Sequence, residues 1–310
     1  MKYRRLGRTG IDVSAISFGA GPVSGWAIRE DVDNQCAVIQ HAIDCGINWF
    51  DTAPTYADGQ SELSLGRALS ACRSEQKIHL ATKVRVAEDG LRDIRGYVLR
   101  SVEASLQRLK CSQIALLQLH NSVTAQRGDQ PTSLTPHDVL DPAGVLSAFL
   151  ELKAARVVAH LGLTGLGDAP SIRTVIASEE FETVQTPYHI LNPSAGEVVA
   201  ADFSETDYGN QFEQCRQLEM GVFAIRVFAG GALAGRKPSP HTLTTRFFPL
   251  DLYQRDLHRA SSLASSEPPN SLPSKAIRFA LNHPAVSSAL IGFARTEEID
   301  AAVQAIETVD

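Results

Sequence analysis

No stretch of this 310-residue chain approaches eighteen consecutive apolar residues, and Met1-Lys2-Tyr3-Arg4-Arg5 leads into a Gly-rich polar segment with no apolar h-region. Neither a membrane span nor a signal peptide is expected, which points to a cytoplasmic protein. The chain has no basic block either: 29 Lys and Arg stand against 35 Asp and Glu, a net charge of −6. That argues against a nucleic-acid partner. The five cysteines, Cys36, Cys45, Cys72, Cys111 and Cys215, are odd in number, widely spaced and without a Cys-x-x-C pair. They read as reduced thiols, not as a disulfide framework or zinc site. His-Glu-x-x-His is missing and the nine histidines are scattered, so no metal is expected. Gly-x-Ser-x-Gly is missing too, which removes a hydrolase elbow. Tyr56, Tyr97, Tyr188, Tyr208 and Tyr253 all lack a lysine four residues on, which removes a short-chain reductase pair.

What is present is an alternation. Residues 1–15 read as a hairpin, Tyr3 to Leu6 and Ile11 to Val13 around Gly7-Arg8-Thr9-Gly10. Eight apolar, strand-length runs follow: Ala15–Phe18, Ile47–Phe50, Ile78–Thr82, Ile114–Leu119, Val157–Leu163, Thr183–Gln185, Gly221–Ile225 and Ser288–Ile291. Between them lie segments of helical periodicity, such as Asp93–Leu109 with Val98, Val102, Leu106 and Leu109 on one face. Eight such units predict an α/β fold, a (β/α)8 TIM barrel with an N-terminal β-hairpin, in one domain over 1–310. Loop-like stretches at 122–142, 192–210 and 266–273 read as connections, not boundaries.

The functional signal is where the polar residues fall. Gly19, Asp51, Lys83, His120, Thr164, Gln185, Arg226 and Gly292 all come at or just past the ends of their runs. In a barrel those ends meet at one mouth, where active sites form. Loops are polar anyway, so any one of these residues could be incidental. That accounts poorly for four groups that are an acid (Asp51), a phenol (Tyr56), an amine (Lys83) and an imidazole (His120). A phenol is a poor proton donor at neutral pH unless a nearby ammonium stabilises its anion, and lowering a pKa by one corresponds to about 1.4 kcal/mol. A buried lysine in turn needs a counter-ion, for which Asp51 is placed. The set suits proton delivery to an oxygen gaining negative charge, as in carbonyl reduction. No side chain supplies a hydride, so a nicotinamide must. A Rossmann reading of Gly19-Ala20-Gly21-Pro22-Val23-Ser24-Gly25 is weakened by a last glycine one residue late and by Asp51 lying too far on.

Several blocks together resemble the aldo-keto reductase superfamily over essentially the whole length. They are Met1–Gly7 with Val13-Ser14, Phe50-Asp51-Thr52-Ala53-Pro54-Thr55-Tyr56 with Gly59 and Ser61-Glu62, and Thr82-Lys83. Leu117-Gln118-Leu119-His120, Leu161-Gly162, Gln185 and Ile291-Gly292-Phe293 complete them. The resemblance implies Tyr56 as general acid/base, Lys83 and Asp51 tuning it, and His120 orienting the substrate carbonyl. It puts Gln185 and Thr164 at the nicotinamide carboxamide, with Gly19 and Ala20 beside the cofactor. Gly292, Phe293, Arg295 and Glu298 would follow its pyrophosphate and adenosine end. Trp26 reads as a wall of the substrate pocket or as plain loop packing, Asn121 is expected at the pocket, and His189 and Asn192 read as substrate-side residues or as shaping their loop.

There are departures. Thr164-Gly165 replaces the common Ser-Asn, as in the aldose/L-galactose dehydrogenase-like branch. Ile225-Arg226 stands where an aromatic usually stacks on the nicotinamide, and Arg226 reads either as an anion contact or as a salt-bridged rim residue. Arg295 suits a 2′-phosphate and favours NADP(H) over NAD(H). The expected activity is NAD(P)(H)-dependent reduction of an aldehyde or ketone, or oxidation of the matching alcohol. The alternatives are an NAD-dependent aldose dehydrogenase acting on a sugar and a non-catalytic cofactor-binding subunit. Whether the chain is a monomer or a homo-oligomer is not legible.

Overall fold

The computed structural model describes residues 1–28, 31–268 and 270–307. A hairpin opens the chain, β1 (Tyr3–Arg5) paired antiparallel with β2 (Asp12–Ser14). Eight strands follow: β3 (Ile16–Gly19), β4 (Trp49–Asp51), β5 (His79–Val84), β6 (Ile114–Leu119), β7 (Val158–Thr164), β8 (Thr183–Pro187), β9 (Gly221–Ile225) and β10 (Val286–Ile291). They are parallel and close into a barrel in the order β10-β3-β4-β5-β6-β7-β8-β9. Each of the eight apolar runs became a strand, displaced by no more than two residues at either end. Both faces of these strands are covered, which is why they read as continuous apolar runs rather than alternating ones.

Among the described residues ten α-helices accompany them: α1 (Val32–Asp44), α2 (Gln60–Ala71), α3 (Ile94–Leu109), α4 (Pro136–Leu140), α5 (Val145–Ala154), α6 (Ala169–Ile176), α7 (Gln211–Gln217), α8 (Leu250–Ala264), α9 (Leu272–Asn282) and α10 (Thr296–Glu307). Their starts follow capping chemistry. The carboxylates of Asp31, Asp93 and Asp168 accept from the N–H groups of Asn34, Gly96 and Ser171 at 2.8–2.9 Å. Helix α4 begins with a capping box between Thr135 and Asp138, inside a segment that read as loop. At five residues it is too short to leave a periodic trace. None of the described helices is long and apolar enough to cross a membrane. All five cysteines are free.

The larger core lies between barrel and helices, and a second, small one lies inside the barrel. There Leu6 and Val13 from the hairpin pack on Trp49, Ala81, Leu116 and Phe223. The hairpin therefore stoppers the N-terminal end, and the cavity opens at the other end. Gly7 makes the stopper fit: at φ +50° any Cβ would lie 2.2 Å from the Gly221 nitrogen.

Near the same closed end, Glu182 locks α5, β7 and β8 together. It accepts from Lys153 Nζ at 2.8 Å and the Leu161 N–H at 3.1 Å, and bonds His160 Nδ1 at 2.9 Å. Burial pushes this carboxyl up, but His160, Lys153 and the Leu161 amide outweigh it and bring it from 4.5 to about 2. A depressed folded value contributes stability that is present above pH 4.5 and is lost as pH falls through about 2. By urea unfolding, wild type should exceed Glu182→Gln by on the order of 2–3 kcal/mol at neutral pH. The gap should close across that acid window. A gap independent of pH would contradict the assignment.

Candidate active site

Strand β4 carries a single acid at its open end. Asp51 is buried, and its neighbours in the barrel bring it three donors. Lys83 of β5 gives its ammonium to Oδ1. The side-chain amides of Gln118 on β6 and Gln185 on β8 donate to Oδ2 at 2.9 and 2.6 Å. Lys83, itself fully buried, also donates to the Thr52 carbonyl at 2.8 Å. Lys83 pairs with Gln118 across β5 and β6, and Thr164 with Gln185 across β7 and β8. Burial pulls the Lys83 ammonium down, but Asp51 first and Tyr56 second outweigh it, and its pKa ends above the usual lysine value. This lysine is charged.

After β4 the chain reverses through Ala57, Asp58 and Gly59, all at positive φ, before α2 begins. The loop is held by Thr52 and Ser61, whose hydroxyls lie 2.7 Å apart, and by Ser61 donating to the Ala20 carbonyl at 2.7 Å. Glu62 anchors the start of α2, accepting from Thr82 at 2.6 Å and Arg108 at 2.7 Å. These contacts give the Asp-Thr and Ser-Glu pairs of the sequence a structural role: they fix Tyr56. Its ring centroid is 4.9 Å from Lys83 Nζ and 5.5 Å from the His120 ring, which stands perpendicular to it at 85°. Burial takes His120 well below the usual imidazole value, and Arg85 and Lys83 push it the same way. His120 is neutral, with Nδ1 3.4 Å from the Thr55 hydroxyl.

Asp51, Tyr56 and His120 line a cavity of about 610 Å³, and Lys83 lies directly behind them. Gly19, Thr164, Gln185, Ile225, Arg226 and Gly292 line it as well. Thr164 turns its hydroxyl to the Leu119 carbonyl at 3.1 Å. Arg226 sits at φ 54° with its guanidinium buried, 3.4 Å from Asp256 and 4.1 Å over the Phe248 ring. It is both a cavity residue and a salt-bridged one.

Other expected residues lie elsewhere. Trp26 is fully buried with its edge on Phe18, ring centroids 5.4 Å apart, so the wall there is Pro22, Val23 and Ser24 instead. A large apolar ring gains more from that core position than from a wet mouth. Asn121 is spent on the backbone, bonding Val86 N and O and the Thr132 carbonyl at 2.6–2.9 Å. His189 and Asn192 close a short turn through backbone bonds, and His189 is brought to about 3 by burial and then by Arg226 and Arg259. Ala20 is buried, and the Phe293 ring is core, 5.8 Å from Phe18. Arg295 is exposed beside Glu298 at 3.3 Å, and Glu298 also takes Arg236 at 2.8 Å. None of these seven residues (Trp26, Asn121, His189, Ala20, Phe293, Arg295, Glu298) is part of the cavity lining.

Three features escaped the sequence reading. Gln118 is a polar residue inside an apolar strand, which was the signal for it. Arg85 stands two residues past Lys83 and lines the cavity. The segment between β9 and α8 brings Thr244, Thr245, Arg246, Phe247 and Phe248 to the mouth, whereas 192–210 brings nothing. Long loops announce little of where they fold back.

The Asp51–Lys83 pair has a thermodynamic signature. Lys83→Met should destabilise the chain by about 3–5 kcal/mol, because it leaves a buried carboxylate without its cation. Adding Asp51→Asn should return part of that loss in a double-mutant cycle read by urea unfolding. Strict additivity would contradict the pairing.

Comparison with known proteins places this geometry. A family model described as the aldo/keto reductase family matches residues 15–309. The chain is 28% identical over 313 residues to the aldo-keto reductase YhdN of Bacillus subtilis, covering 97% of this chain and 87% of that one. It is 31% identical over 167 residues to L-galactose dehydrogenase of Arabidopsis thaliana, a match spanning 54% of this chain and 49% of the plant protein. Among solved structures, the holo form of aldo-keto reductase AKR11C1 from Bacillus halodurans superposes with a TM-score of 0.72 at 25% identity, over 100% of this chain and 92% of the other.

Proposed function

The chain belongs to the aldo/keto reductase family, whose members use nicotinamide cofactors on small carbonyl or sugar substrates, and from that premise we propose that it reduces aldehydes or ketones with Tyr56 as proton donor. One observation carries the proposal: a charged, buried Lys83 held by Asp51 stands 4.9 Å from the Tyr56 ring, beside a neutral His120, in one cavity.

The cavity suits the cofactor. Gly19 and Gly292 meet without side chains: a Cβ on Gly292 would lie 3.2 Å from Ser24 Cβ and 3.4 Å from the Gly19 oxygen. Gln185 has given its amide nitrogen to Asp51, which leaves Oε1 to accept from a carboxamide. Two guanidiniums, Arg236 and Arg295, share the single carboxylate of Glu298, so that end keeps net positive charge for a 2′-phosphate. A bound nicotinamide supplies the hydride that no side chain here can provide.

The chain's own residues do the rest. His120 is neutral with Nδ1 3.4 Å from the Thr55 hydroxyl, and with that hydroxyl donating to Nδ1 it offers an Nε2 N–H to the substrate oxygen. Tyr56 passes its proton to that oxygen as negative charge builds there. The Lys83 ammonium stabilises the phenolate left behind, and Asp51 keeps Lys83 charged throughout. With its oxygens taken by Lys83, Gln118 and Gln185, Asp51 is not free to act as a base itself. Run in reverse, the same groups oxidise an alcohol or a sugar hemiacetal. Thr164-Gly165 and the match to L-galactose dehydrogenase favour that as the second reading, an NAD-dependent aldose dehydrogenase.

NADPH consumption with 4-nitrobenzaldehyde is the expected activity. Reduction of NAD by free aldoses without aldehyde reduction would select the second reading. Tyr56→Phe should abolish turnover in either direction while NADPH still quenches tryptophan fluorescence, and retained turnover would remove Tyr56 from its role. Arg295→Ala should raise KM for NADPH by about tenfold and for NADH far less. Equal effects would remove the phosphate contact.

A further inference from the structure

Arg85 is a cation without an anion. Its side chain is largely buried at the open end of β5, and burial lowers its pKa against an opposing pull from Tyr56. Phe247 covers one face of the guanidinium, its ring centroid 4.1 Å from Cζ. Nε is buried with no partner, and Nη2 makes only a 3.4 Å contact with the His120 carbonyl. Among the described residues no carboxylate lies within salt-bridge distance of it. The other arginines on the cavity wall differ. Arg226 has Asp256, Arg236 has Glu298, and Arg246 is exposed to water. The one acid of the cavity, Asp51, has its oxygens committed elsewhere.

A largely buried guanidinium without an acid partner is unfavourable unless something supplies the missing charge. The arrangement also leaves a particular shape. An aromatic ring occupies one flat face, and the only bond on the N–H groups is the long one from Nη2 to the His120 carbonyl, so the guanidinium keeps donors for a carboxylate, which a guanidinium fork meets with parallel hydrogen bonds. We propose that Arg85 receives a carboxylate of the substrate, so that the preferred substrates are aldehydes or ketones that carry an acid group near the reacting carbonyl. The inference rests on the reductase reading for the word substrate, but the anion site itself does not.

Two alternatives have less support. A cofactor phosphate would lie toward Gly292, Arg236 and Arg295, whereas Arg85 stands beside His120, with Nη2 3.4 Å from its carbonyl. A phosphate monoester on the substrate carries close to two charges at neutral pH, and the guanidiniums of Arg226 and Arg236 are already paired. One guanidinium without an acid partner matches one carboxylate.

The test pairs substrates of like shape. In wild type, kcat/KM for 4-carboxybenzaldehyde should exceed that for 4-nitrobenzaldehyde, and succinic semialdehyde should exceed butanal, each by at least about tenfold. Arg85→Met should collapse these ratios through KM, and Arg85→Lys should restore part of them. A second arm needs no turnover. Benzoate binding, followed by calorimetry on the protein with NADPH and without it, should weaken at least about tenfold in Arg85→Met. Ratios near one in wild type, or ratios and benzoate affinity unmoved by the substitution, would overturn the proposal and leave carbonyl reduction standing. Arg85-dependent benzoate binding with no turnover of any aldehyde would do the reverse: the anion site would hold and the reductase reading would fall.

Discussion

One carboxylate holds the open end of this barrel together. Asp51 draws in an ammonium from β5 and two amides from β6 and β8, so four of eight strands converge on two oxygen atoms. A charge pair so deep depends on hydrogen bonds to both of its members, and Lys83 adds one by donating to the Thr52 carbonyl. Water is kept from it below by the hairpin and its small core, which stopper the other end. What results is a fixed positive charge directly behind a phenol. That charge turns Tyr56 from one more ring at a cavity mouth into a candidate proton donor. It also contributes, with burial and Arg85, to keeping His120 neutral, and a neutral imidazole can donate while leaving the phenol its proton.

The strands were legible because a barrel buries both their faces, and the chain answers with runs such as Ile114–Leu119 bounded by polar residues. Asp51, Lys83 and His120 were legible for a related reason: at the end of an apolar run, a titratable group has few uses beyond chemistry or a salt bridge. The same logic could have found Gln118, since a glutamine flanked by Leu117 and Leu119 in a buried strand must be bonded to something. It did not identify the partner, because bonds across a barrel join residues distant in sequence, here 67 and 134 positions from Asp51.

Loops were another matter. Trp26 looked like a pocket wall because it follows the first strand in a glycine-rich loop, yet its ring gains more from Phe18 than from the mouth. The segment from Arg226 to Pro249 carries no periodicity to betray that it folds back over the cavity, where Phe247 and Phe248 each cover an arginine. Arg85 illustrates the limit most clearly. An arginine two residues past Lys83 is ordinary in a string of letters. Only the arrangement around it reveals that its charge is buried and unmatched.

The reading stands or falls on whether the Lys83 charge acts through the Tyr56 hydroxyl during turnover. The direct measurement is the pH profile of kcat/KM for aldehyde reduction, compared between wild type and Lys83→Met. The expected result is a profile lowered by at least about a hundredfold in the variant at every pH, since the phenolate formed on proton transfer has lost its neighbouring cation. Profiles of equal height in the two proteins would contradict it.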